Sequence, residues 1–232
     1  MTSIKALRNL LLPVALLLSG PIALAAETHE TDPGYNDDLQ LVEEDRHGAI
    51  FAQPNVDWAS YDSILLESAT VAFRKNWMRD QNRNRRSLSE RVSTSDMERI
   101  KTDLAELFDE VFVDELSQDG AWKLVDAAGP RVLRIRPQIV DLDVYAPAVR
   151  SSSNQRSYTD SSGRMTLKLE LYDAETGDLI AAASDRRESP YRGYMQWTTS
   201  VSNKGDARQI LKEWAGALNE RLKSATQSRQ PD

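Results

Sequence analysis

The sequence has no cysteine. No disulfide can staple the fold, and no thiol can act as nucleophile, metal ligand or acceptor of a lipid behind an export signal. Histidine is nearly as scarce, since the two present, His29 and His47, both precede the first stretch that reads as ordered structure. A Ser-His or Cys-His couple inside a folded domain is excluded with them. After Leu18 no run stays apolar for the roughly 20 residues that a spanning helix needs. Positive charge is in deficit, 29 Lys and Arg against 36 Asp and Glu for a formal charge of −7, which argues against nucleic acid as a partner.

At the N-terminus, Lys5 and Arg8 precede an apolar run from Leu10 to Leu18, followed by small residues ending in Ala23-Leu24-Ala25-Ala26. That order predicts a secretory signal over 1–26 and a periplasmic protein with no transmembrane segment in its mature chain. Losing Lys5 and Arg8 with the signal takes the formal charge from −7 to −9. The stretch 27–55 sets eight carboxylates between Glu27 and Asp45 against Arg46 and is expected to form a disordered, loosely draped leader. A His-carboxylate metal site there is less expected than two solvated histidines, because ligands must be held in geometry.

One domain is expected over 56–224, with a disordered tail at 225–232. Trp58 and Tyr61 anchor its start, and Ser63 to Phe73 reads as the first strand. Arg74 to Arg91 is strongly basic and reads as a loop. Ser95-Asp96-Met97-Glu98 fits a capping box for a helix whose stripe is Met97, Ile100, Leu104, Leu107, Phe108, Val111, Phe112 and Leu116, ended by Gly120. Trp122 to Val125 is a short strand. Val132 to Tyr145 is a longer one whose apolar phase changes near Pro137 to Val140, predicting a bulge and an edge position, since Pro137 cannot donate to a ladder. Ser151 to Gly163 is a polar loop. Arg164 to Arg187 is a hairpin: Met165, Leu167, Leu169 and Leu171 share a face, and Asp173 to Asp178 turns the chain with Gly177 at positive φ. Glu188 to Ser200 is an aromatic loop, and Lys204 to Lys223, capped by Asn203, is the last helix. The fold class is α+β, a mainly antiparallel sheet with two amphipathic helices packed on one face, an α/β sandwich. Leu167, Leu169 and Leu171 should bury against the helices that carry Leu104 and Trp214.

Several stretches resemble one family: Val56-Asp57-Trp58 with Tyr61, VAFRKNWMRDQNRN from Val71, SDMERIKTDLAELFDEVF from Ser95, LKLELYDAETGDL from Leu167 and ARQILKEWAGAL from Ala207. Together they resemble the domain-of-unknown-function family 3313, exported proteins of Gram-negative bacteria, many of them lipoproteins. The resemblance spans Val56 to Leu222 and implies export, with no activity, cofactor or catalytic residue to carry over. A lipoprotein would place a cysteine after the signal. Here Ala25, Ala26 and Glu27 stand there, which argues against a lipid anchor. The architecture is also similar, more distantly, to small α/β modules of envelope lipoproteins such as the periplasmic domain of the curli secretion channel.

No catalytic, cofactor or metal residues are identified. Ser63 and the stretch Ser202-Asn203-Lys204 lack the context of a Ser-Lys couple. Asp141 and Asp143, alternate residues of one strand, and Asp173, Glu175 and Asp178 in the turn read as solvated carboxylates and turn chemistry rather than as an acid-base pair or a calcium loop. The leading expectation is a non-enzymatic module that binds an envelope protein or cell-wall component through its loops. The alternative is an anionic-ligand binder for lipopolysaccharide, phospholipid headgroups or peptidoglycan, using Arg74, Lys75, Arg79, Arg83, Arg85, Arg86 and Arg91, with peripheral membrane association left open. A hydrolase of unknown type stands third. The competing bland reading places this basic run against the acidic helix face of Asp103, Glu106 and Glu110. The aromatic loop of Tyr191, Tyr194 and Trp197 reads as core cover or an edge lid.

Overall fold

A computed structural model describes residues 38–85, 91–120, 122–145, 158–159, 163–189, 196–197 and 200–227, all within the compact unit Tyr35–Asp232. The signal, His29 and the first part of the acidic leader, Arg86, most of the serine-rich loop, Tyr191, Tyr194 and the last residues of the tail lie outside them.

The organising element is the hairpin of β8 (Gly163–Asp173) and β9 (Leu179–Glu188), as the alternation predicts. Met165, Leu167, Leu169 and Leu171 are all buried. Between the strands, the Asp173 carboxylate accepts from the amides of Glu175 and Thr176, and Gly177 takes φ +81°. Outward from this hairpin run β2 (Gly48–Ala52) and β1 (Gln40–Glu44) on one side, and β6 (Val132–Val144), β3 (Ser63–Leu66) and β5 (Lys123–Leu124) on the other. β4 (Thr70–Phe73) also pairs with β6. The class is α+β, with antiparallel pairing everywhere except where β3 and β4 meet β6, and β3 meets β5, in parallel.

Two expectations about strands change here. Residues 40–52 are not loosely draped: β2 pairs with β9 and β1 with β2. Small side chains on β9 allow it, because Ala181, Ala182, Ala183 and Ser184 stand opposite Ala52, Phe51, Ile50 and Ala49, and a Cβ at Gly48 would strike the Ser184 carbonyl. The expected first strand is split into β3 and β4, and that break explains Pro137. β6 is internal rather than at an edge. The Ile135 carbonyl accepts from the Glu67 amide, so Pro137, two residues on, turns its donor-less nitrogen toward the same neighbour, where the chain leaves the ladder between β3 and β4. The phase change is a bulge between Val140 and Asp143, with Asp141 at φ +52°.

Two long helices cover one face, α2 (Thr94–Ser117) and α3 (Ser200–Gln227), with the short α1 (Trp77–Asn82) before them. Leu104, Leu107, Phe108, Val111, Phe112 and Leu116 of α2 join Ile210, Leu211 and Trp214 of α3 over Ile135, Ile139, Leu167, Leu169 and Leu171 in one core. Phe108 and Phe112 stack with centroids 3.8 Å apart. The capping box sits two residues earlier than the sequence suggests: Ser93 caps and Asp96 reaches back. Burial fixes this register, since Val92 is buried and both its backbone groups are held by the Asn82 side chain. α3 likewise starts before Asn203, which lies inside the helix instead of capping it, and runs past Ser224.

The opposite sheet face is polar. Arg134 and Arg136 lie 4.5 and 5.0 Å from the Tyr172 ring centroid, with Glu67 and Glu170 completing the network.

Tyr61 ties the start of the domain to the hairpin turn by donating to Asp173 Oδ2 at 2.8 Å. Burial, then this bond, pushes the Tyr61 hydroxyl far above its usual value. Burial would raise the Asp173 carboxyl, but the Thr176 amide, the Tyr61 hydroxyl and the Glu175 amide together hold it below the usual range. Asp173 thus contributes stability above its unfolded pKa of about 4 and loses it as the pH falls through the lower folded value. Tyr61→Phe is expected to cost about 1 kcal/mol near neutrality, measured by urea unfolding, with the difference from wild type shrinking below about pH 4.

Candidate functional site

The basic segment begins with a helix that composition hides. Trp77 and Gln81 stand one turn apart on α1, and both donate to the Val144 carbonyl, at 3.1 and 3.0 Å. Trp77 is 1% exposed and stacks on Phe73 at 4.1 Å, which seats α1 on the end of the sheet. Asn76, at φ +62°, turns the chain into the helix. With Trp77 and Gln81 facing inward, the 100° advance per residue carries Arg79 and the helical Arg83 to the opposite, solvent face, where both are exposed.

Arg74 is spent internally. Its guanidinium donates to Asp80 Oδ2 at 2.8 Å, and its Nε stands 2.9 Å from Asp143 Oδ2. The Asp80 contact, ahead of Asp143, holds Arg74 above its ordinary value, and the same contact holds Asp80 below the usual carboxylate range. Asp143 is 4% exposed and also meets Arg164 at 3.3 Å, with its other oxygen buried and unpartnered. The bulge therefore separates Asp141, which is exposed, from Asp143, which is held by arginines, and the two do not form an acid-base pair.

The seven basic candidates divide accordingly. Arg74 is structural. Arg79 reaches Asp80 at 3.3 Å while its side chain stays 66% exposed. Lys75 and Arg83 are exposed and meet no acid among the described residues. Arg91 is exposed and donates to the Arg85 carbonyl, Arg85 is half-buried, and Arg86 lies outside the described residues. On α2 the acidic face finds other partners: Glu110 takes Arg208 and Asp103 takes Arg99. Asp80, Trp77, Asn82 and Arg164 complete this cluster, and of these only Trp77, an aromatic inside a charge run, carried a signal in the sequence.

Topology concentrates the long connections here. β4 and β6 end on this side, β8 begins on it and β9 ends on it. Tyr145 donates to Glu188 at 3.0 Å, and the Gly163 amide donates to the Ser189 hydroxyl. Two short strands, β7 (Tyr158–Thr159) and β10 (Gln196–Trp197), pair with each other, so the serine-rich and aromatic connections are joined. The other end of β8 and β9 is closed by the tight Asp173–Asp178 turn.

A groove of about 170 Å³ lies elsewhere, between β2, β9 and α3, floored by Ile50, Leu167, Leu169 and Leu218. At its rim Asp185 accepts from Trp214 Nε1 and pairs with Arg187, both at 2.7 Å. The sequence could not announce it, because it depends on β2 pairing with β9. His47 Nε2 accepts from Arg46, and among the described residues no three metal-ligating side chains cluster.

A family model described as "Protein of unknown function (DUF3313)" matches residues 34–218. None of the curated proteins matches the chain. Among solved structures, a PelC dodecamer from Paraburkholderia phytofirmans is similar at 8% identity and TM-score 0.34, over 73% of this chain and 96% of that one. A Xanthomonas campestris protein of the family DUF330 is similar at 12% identity and TM-score 0.41, over 78% and 94%. At these scores neither likeness transfers a function.

Proposed function

We infer, from the premise that the chain belongs to the DUF3313 family, that it is an exported, non-enzymatic module of the cell envelope that binds a partner through the loop end of its sheet. The N-terminal pattern of basic start, apolar run and small residues supports export. The observation that carries the rest is the convergence at one end of α1, the joined β7–β10 connections and the exposed cations Lys75, Arg79, Arg83 and Arg91, opposite an end closed by a tight turn. Loops held on a rigid scaffold are where binding residues concentrate. The partner is a component of the envelope that presents negative charge to Lys75, Arg79 and Arg83.

The test is a pull-down of the exported chain after crosslinking in the intact envelope. A partner recovered reproducibly is expected. Repeated recovery of none, from protein with a normal circular dichroism spectrum, contradicts the reading.

A further inference from the structure

We propose that the outer face of α1 is a docking surface for the phosphate groups of an anionic lipid headgroup layer, an inference that rests on the loop end being the working end. The chain carries a formal charge of −7, yet this surface reverses the sign: Lys75, Arg79, Arg83 and Arg91 are all exposed, and Asp80, the acid within α1, is already engaged by Arg74. The inward bonds of Trp77 and Gln81 to Val144 fix which side of the helix faces out, so Arg79 and Arg83 are presented together rather than scattered along a coil.

Two features select a headgroup layer over a protein partner. Arginine predominates, and its planar fork matches phosphate oxygens. A protein interface instead needs an apolar or aromatic anchor at its centre. Among the described residues the exposed large hydrophobics are Leu41 and Val42 on β1 and Val113 on α2, all off this surface, and Trp77 is turned inward. A surface of cations without anchors suits an array of phosphates that is held by charge and released by salt.

The experiment is flotation of the exported form with phosphatidylglycerol-containing vesicles and with purely zwitterionic vesicles, at low and at high salt. Wild type is expected to float with the anionic vesicles alone, and to release at high salt. Reversing both outer cations, Arg79→Glu with Arg83→Glu, is expected to lower the bound fraction about tenfold or more, since each cation near such a surface contributes about a fivefold factor. Lys204→Glu with Lys212→Glu, exposed positions on α3, makes the same change in net charge and should leave binding nearly intact. Failure of wild type to float, equal loss in the α3 variant, or an undiminished Arg79/Arg83 variant overturns the proposal. A protein captured by the crosslinked pull-down without vesicle binding overturns it too, while leaving the broader reading of the loop end in place.

Discussion

Trp77→Ala is expected to cost about 3–5 kcal/mol and to release α1 from the sheet, because it removes the nearly fully buried indole that seats this short helix. The indole stacks on Phe73 and donates to the Val144 carbonyl, so the loss combines a cavity with one of the two hydrogen bonds that this carbonyl accepts, Gln81 keeping the other. Six residues of helix cannot persist in water without tertiary support. The measurement is urea unfolding together with partner recovery. Trp77→Phe separates the two contributions: it keeps a ring against Phe73, forfeits the hydrogen bond at about 1 kcal/mol, and should retain partner recovery where the alanine variant loses it.

Arg74→Met is the second large effect. It preserves much of the apolar stem and strips Asp143 of its closer partner, leaving a 4% exposed carboxylate with Arg164 alone at 3.3 Å. Removing one member of a buried pair costs roughly 3–5 kcal/mol, and the remaining arginine should reduce that to about 2. The diagnostic is a cycle with Asp143→Asn. If the cost is that of a stranded charge, the double variant should be more stable than Arg74→Met alone. A double variant no better than the single would assign the loss to the Arg74 contact with Asp80 instead.

The parts of this molecule that could be read from the sequence are those with a period. Met165, Leu167, Leu169 and Leu171 alternate over a whole strand, and Leu104 to Leu116 repeat over a whole helix, so the hairpin, α2 and their mutual burial follow from local pattern. β1 and β2 have no such pattern of their own, since Gly48–Ala52 becomes a strand by fitting Ile50, Phe51 and Ala52 against the alanines of β9. Pro137 reads as an edge marker from the sequence, whereas its neighbour is two strands with a gap between them. α1 is shorter than the window in which helical periodicity shows, and its charges mask the inward pair of Trp77 and Gln81. The basic run was visible as charge. Which of its members are free was not, because Arg74 is claimed by Asp143, a residue brought near only by the parallel pairing of β4 with β6.

The most direct test of the loop end as the working surface places a photo-crosslinking side chain at Arg83 in one variant and at Glu175, in the tight turn at the far end, in another, and compares adducts formed in the living envelope. Adducts from position 83 and none from position 175 are predicted. Adducts confined to position 175, or equal at both, would contradict it.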